Sequence, residues 1–187
     1  MQSELDSILR YKVGLEPWQI DKLHSWGYDS APASKGHHLN IPGGLAIHSV
    51  NVSRRLEELS KALRVEWPRP SSPWVVGMLH DLVKCRCYRL RGDGSGKYDY
   101  VQPPYPGHGI ASAVMATVDL GFCLLESEAA AIIWHMGAFG LQGKALDEFD
   151  AALDAYPAEI IATHTADWAA ARLDESGDWH SERSTAE

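Results

Sequence analysis

Polar residues set inside apolar helical stripes constrain this chain more than any other feature. Over residues 44–64, Leu45, Val52, Leu56, Leu59 and Leu63 recur at three- and four-residue steps or their sum. That spacing marks one face of an amphipathic helix. His48 falls on the same stripe, three residues after Leu45 and four before Val52. His80 stands near Val76 and Val83 in a helix expected over 73–84, and His135 closes one expected over 126–135. Asp167 lies among Ile160, Ala170 and Ala171. A lone histidine on such a face is more often a hydrogen-bonded core residue than a ligand. Several on separate helices, with an adjacent His80-Asp81 pair, need partners together. A shared metal ion provides one for all of them, because buried imidazoles and carboxylates are costly when unpaired.

The rest of the chain reads as mostly helical. Residues 3–11 and 17–26 form short opening helices, with Pro17 suited to a first turn. A connector over 27–44, containing glycine and proline, carries His37 and His38. Residues 68–73 break the first long helix, and Pro73 can begin the next. Residues 86–102 are different: Cys87 to Leu90 and Lys97 to Val101 are strand-like, and the Gly92-Asp93-Gly94-Ser95-Gly96 run between them is turn chemistry. Helices resume over 108–119, where His108 opens the helix, then over 126–135, 145–156 and 157–174. Ser127 and Glu128 favour the start of the second of these. Residues 175–187 read as a polar, fraying tail. The expected fold is an all-α bundle of about seven helices with one inserted β-hairpin. It forms a single domain over 1–187, with its core over about 37–175.

Charge excludes some partners. Seventeen basic against twenty-five acidic residues leave a net charge of −8, unlike the basic surface that tracks duplex nucleic acid. A small phosphorylated substrate remains compatible, because a bound metal supplies local positive charge. No run of eighteen apolar residues occurs, so no membrane span is expected. Glu4, Asp6 and Arg10 interrupt the apolar centre a signal peptide would need, and a cytoplasmic location is the expectation. Cys85, Cys87 and Cys123 lack a second cysteine pair for zinc and read as reduced structural thiols.

At this point the order His48, His80-Asp81, Asp167 resembles the H…HD…D pattern of the HD-domain superfamily of metal-dependent phosphohydrolases. Ile41-Pro42-Gly43-Gly44-Leu45-Ala46-Ile47-His48 is similar to the PGGLxxH segment in the HD domains of bacterial 3′-to-5′ exoribonucleases. His80-Asp81-Leu82-Val83-Lys84 has the HDxxK form, and Thr165 to Ala170 resembles the family's final aspartate segment. Tyr105-Pro106-Gly107-His108-Gly109 and Trp134-His135-Met136-Gly137 are similar to segments of small stand-alone HD proteins of phages and bacteria. Those proteins also carry a tyrosine-containing hairpin after HDxxK.

The resemblance implies that His48, His80, Asp81 and Asp167 bind a first divalent metal, among Mn, Fe, Co, Ni, Zn and Mg. It implies that Asp81 bridges to a second ion held by His108 and His135. Some relatives have two consecutive histidines where this chain has His135 followed by Met136, one ligand fewer. The implied activity is hydrolysis of a phosphate bond in a nucleotide or deoxynucleotide by metal-activated water. Two alternatives stand beside it: a phosphodiesterase on cyclic nucleotides or short oligonucleotides, and a catalytically silent nucleotide-sensing module. Asp81 and Lys84 are the candidate catalytic residues; Lys84 either neutralises phosphate charge or is a solvated helix-end lysine. Lys84, His38 and Tyr105 are the candidate substrate contacts, and His38 is equally compatible with a surface role. Tyr88, Tyr98, Tyr100 and Tyr105 are placed to form a rim over the site.

Overall fold

The computed structural model describes residues 2–36 and 38–175. His37 and the tail beyond Glu175 lie outside the described residues. The chain opens with α1 (Gln2–Ile8), which widens into a π-helical turn, Leu9–Val13. α2 (Pro17–Ser25) follows, and a connector leads to the longest helix, α3 (Gly44–Leu63). Next come α4 (Ser72–Leu79) and a single turn, α5 (Lys84–Cys87). The hairpin strands are β1 (Tyr88–Leu90) and β2 (Tyr98–Tyr100). α6 (His108–Val114) continues as a π-helical turn, Met115–Asp119. α7 (Glu126–Ile133), α8 (Lys144–Ala155) and α9 (Pro157–Ala169) complete the bundle, and α9 ends in a third π-helical turn, Ala170–Asp174. This is the all-α bundle with one small hairpin that the sequence implied. Among the described residues, no helix is long and apolar enough to cross a membrane.

α4 lies at the centre, with all eight of its residues buried. It packs on α3, whose Leu45, Val52 and Leu56 are fully buried in the same core. Leu63 departs from the expectation: at 51 % exposure it lies beyond the core, so the stripe ends one turn early. The approach of the two helices depends on Gly77, where an added Cβ would stand 2.6 Å from Ser53 Cα and 2.7 Å from its nitrogen. Backbone cannot step aside as a side-chain tip can. Gly77→Ala is therefore expected to cost about 3 kcal/mol and lower the thermal midpoint by roughly 6–12 °C. A denaturant titration checks this, since the midpoint should fall with its slope unchanged.

The loop between α3 and α4 is tied to α7 by a buried carboxylate. Glu128, fully buried, accepts hydrogen bonds from Arg69 Nε (2.7 Å) and Nη2 (2.6 Å), from Ser72 Oγ (2.7 Å), and from the Leu125 backbone N–H (2.9 Å). The last of these satisfies an open donor at the start of α7. The hairpin pairs Tyr88 with Tyr100, Arg89 with Asp99 and Leu90 with Tyr98.

One boundary differs from expectation in a way that matters. The helix expected over 73–84 ends at Leu79, and His80 caps it. Backbone bonds from Leu82 to Leu79, Lys84 to Asp81 and Cys85 to Leu82 then close three-residue turns. This tighter winding turns His80 and Asp81 toward a common point, which a continuous α-helix presents less well.

Candidate metal centre

The approach to His48 is built from backbone. Gly43 adopts a φ of +78° just before α3, a conformation glycine takes without penalty. Gly44 lies against the backbone of Ala33, whose nitrogen a Cβ would meet at 3.0 Å. The Pro42-Gly43-Gly44 turn thus starts α3 close against the connector and delivers His48 one turn later, fully buried. His80 comes from the end of α4, Asp81 from the turn after it, His108 from the first residue of α6, His135 from just beyond α7, and Asp167 from α9.

All six side chains converge. Asp81 turns its two oxygens to different partners. Oδ2 faces His80 Nε2 at 3.2 Å and His48 Nε2 at 3.7 Å, while Oδ1 faces His108 Nε2 and His135 Nε2, each at 3.7 Å. Asp167 Oδ1 lies 3.1 Å from His48 Nε2 and 4.0 Å from His80 Nε2. An ion bound at ~2.1 Å leaves its ligand atoms roughly 3–4 Å apart, so these separations suit metal coordination. His48 Nε2, His80 Nε2 and Asp81 Oδ1 are buried and have no well-formed hydrogen bond. Buried polar atoms are rarely left so, and three aimed at one space point to a ligand. The same residues form sets whose donor atoms lie within 4.8 Å of one another.

Hydrogen bonds at the far side of the His48, His80 and His135 rings fix which nitrogen is offered. His80 Nδ1 contacts the Gly77 carbonyl at 2.8 Å, and His135 Nδ1 contacts the Ile132 carbonyl at 2.7 Å. A carbonyl can only accept, so each Nδ1 carries a proton and Nε2 is the nitrogen that faces the site. His48 Nδ1 lies 3.1 Å from both oxygens of Glu175.

The electrostatics separate the residues into two groups. Burial opposes ionisation of Asp81, yet Lys84 and His80 beside it hold its carboxyl well below the usual range. Asp167 is held low against burial in the same way, chiefly by His48 and His80. Burial, aided by His80, pushes His135 down to about 3, and burial also lowers His108. Those two imidazoles are neutral and ready to ligate. His48 differs: burial disfavours its charge, but the Asp167 and Glu175 carboxylates win and raise it to about 9. Below that pH a metal ion must displace a proton from His48. Mn²⁺ affinity is accordingly expected to rise about tenfold per pH unit between roughly pH 6 and 8, the slope of one displaced proton. Titrations of Mn²⁺ at several pH values measure that slope.

The remaining expectations divide. Lys84 is not a solvated lysine: its side chain is 16 % exposed and its Nζ lies 2.6 Å from Asp81 Oδ2. His38 belongs to the site's edge, its ring centroid 4.8 Å from that of His48 and its Nε2 3.8 Å from Glu175 Oε2. Tyr105 is 40 % exposed and, among the described residues, takes no part in the site's hydrogen bonds or ion pairs. Tyr98 departs from the expected rim: it is buried, 6.4 Å from Tyr88 between ring centroids.

Sequence reasoning missed three residues. Glu175, expected in the fraying tail, has a side chain only 1 % exposed. Asn51, one turn after His48, donates from Nδ2 to Glu175 Oε1 at 3.0 Å. His164 contacts the His135 carbonyl through Nδ1 at 2.7 Å, joining α9 to the loop after α7. Asn51 and His164 each sit one helical turn from a ligand, at 48+3 and 167−3, which is the signal available in the sequence.

Comparison of the chain with protein-family models, curated proteins and solved structures returns no match. The geometry above supports a site that could hold metal, and the activity is implied by the sequence resemblance alone.

Proposed function

We propose that this chain is a metal-dependent phosphohydrolase of the HD type, acting on a nucleotide or deoxynucleotide. The observation that supports it most is the division of Asp81, one oxygen toward His48 and His80, the other toward His108 and His135. A carboxylate so shared suits a pair of neighbouring divalent ions. His48, His80, Asp81 and Asp167 would hold one ion, and Asp81, His108 and His135 the other. Bound there, the ions would lower the pKa of a water molecule and polarise a phosphoryl oxygen.

The chain's own groups complete the arrangement. Lys84 stays protonated against burial because Asp81 lies beside it. Its charge stands at the edge of the site, where a phosphoryl group gains negative charge in the transition state. Burial of His48, His80, Asp81 and His135 keeps bulk water from the ligands and strengthens each interaction among them. His38 is held neutral, down to about 4, by burial and by His48, and can donate or accept one hydrogen bond to substrate. The acidic net charge of −8 suits a small phosphorylated substrate over a nucleic-acid duplex.

Product analysis tests this reading. Protein with Mn²⁺ is incubated with nucleoside mono-, di- and triphosphates, cyclic nucleotides and short oligonucleotides. Release of phosphate, pyrophosphate or triphosphate that stops with chelator and returns with Mn²⁺ is the expected result. Products from cyclic or oligomeric substrates alone would make the protein a diesterase. Bound metal with no product from any substrate would count against catalysis on nucleotides.

A further inference from the structure

His48 takes its orientation from outside its own helix, unlike His80 and His135. The Nδ1 atoms of His80 and His135 bond to carbonyls three residues earlier in the chain, whereas His48 Nδ1 meets Glu175, 127 residues away. Glu175 is in turn held by Asn51 Nδ2 at 3.0 Å. The residue before it, Asp174, receives Arg55 Nε at 2.9 Å and Nη2 at 2.5 Å. Asn51 and Arg55 are one turn apart on α3, and with His48 they form a ladder on that helix at spacings of three and four. The π-helical turn Ala170–Asp174 docks against this ladder. Its wider winding ends α9 with Glu175 turned inward, where its carboxylate is 1 % exposed.

We propose that Glu175 is a positioning residue of the metal centre, holding His48 by Nδ1 so that Nε2 faces the ion, and that metal loading is thereby coupled to the seating of residues 170–175. The inference rests on the metal-centre reading of the site. A carboxylate behind a ligating imidazole fixes ring orientation and raises its basicity, and losing such a partner typically costs about 10–100-fold in metal affinity. Coupling is reciprocal by linkage: whatever the seated segment adds to metal affinity, the metal adds to the segment's seating.

The test uses Co²⁺, whose visible absorption reports coordination, with full-length protein first stripped by chelator. Glu175→Ala is expected to weaken Co²⁺ binding about 10–100-fold and alter the absorption band. Glu175→Gln, whose amide oxygen can still accept from Nδ1–H, is expected to fall between the two and to keep the wild-type band. It also keeps the question answerable should the alanine variant fold poorly. In wild type, Co²⁺ should slow backbone hydrogen exchange over 170–175; in Glu175→Ala that metal dependence should vanish. A folded Glu175→Ala or Glu175→Gln that binds Co²⁺ as wild type does, or wild-type exchange indifferent to metal, overturns the role of Glu175. Wild-type protein that takes up no Co²⁺ is a separate result, and overturns the metal centre along with it.

Discussion

If the chain is the phosphohydrolase proposed, Asp81→Asn is expected to remove its turnover by on the order of 10³-fold or more while the chain stays folded. Asparagine keeps the shape and one carbonyl oxygen, but its amide nitrogen cannot ligate. One side of the centre, His48 with His80 or His108 with His135, therefore loses its carboxylate oxygen, and metal stoichiometry should fall from two ions to one. The substitution also removes the partner of Lys84, whose Nζ lies 2.6 Å from Oδ2. Without that anion the burial of Lys84 disfavours its charge. Metal content by elemental analysis, read beside turnover and circular dichroism, distinguishes the cases. Two ions retained with full activity would rule out the bridging role; a lost circular-dichroism spectrum would mean Asp81 is needed for folding itself.

Glu128→Ala carries the largest expected loss of stability, although it leaves the metal ligands untouched. Its carboxylate satisfies Arg69, Ser72 and the Leu125 N–H at once and is fully buried. Arg69, 30 % exposed, can turn to water. The Ser72 hydroxyl and the Leu125 N–H lose their acceptor, and with the lost charged hydrogen bonds the cost is together about 3–5 kcal/mol. For a chain of this length that corresponds to a thermal midpoint lower by roughly 6–20 °C. Glu128→Gln should be milder, because it can still accept two of these bonds. Thermal unfolding of metal-free protein is the measurement, and a shift under about 2 °C would mean the network adds little.

The parts of the fold that were legible in the sequence follow from simple periodicity. Leu45, His48, Val52 and Leu56 keep helical spacing because α3 is regular along its length, so the stripe and its histidine could be read together. The hairpin was legible because Gly92 to Gly96 admits little besides a turn. The end of α4 was not legible, and neither was the change of winding within the last helix, although its end at Asp174 was. No glycine or proline marks Leu79; the helix stops because tighter three-residue turns satisfy the next amides while aiming Asp81 inward. In the last helix the expected end at Asp174 left Glu175 to the polar tail, whereas the π-helical turn Ala170–Asp174 delivers it inward. A glutamate after Asp174 in a polar stretch resembles any solvated carboxylate, and only contact with His48 and Asn51 distinguishes it. Leu63 shows the converse error: periodicity continued one turn beyond the core it was taken to cover.

The two ways of holding an imidazole also imply an order of events as the chain is synthesised. His80 and His135 take their orientation from carbonyls three residues upstream, so each is aimed as soon as its own helix forms. His48 depends on a residue 127 positions later. At synthesis rates of roughly 5–20 residues per second, about 6–25 s pass between them on the ribosome. Through that interval a nascent chain holds His48 without its carboxylate, and an ion arriving early meets a partial set of ligands. The full set of side chains comes together only after α9 has emerged and docked, so on the proposed reading a metal ion would be acquired late.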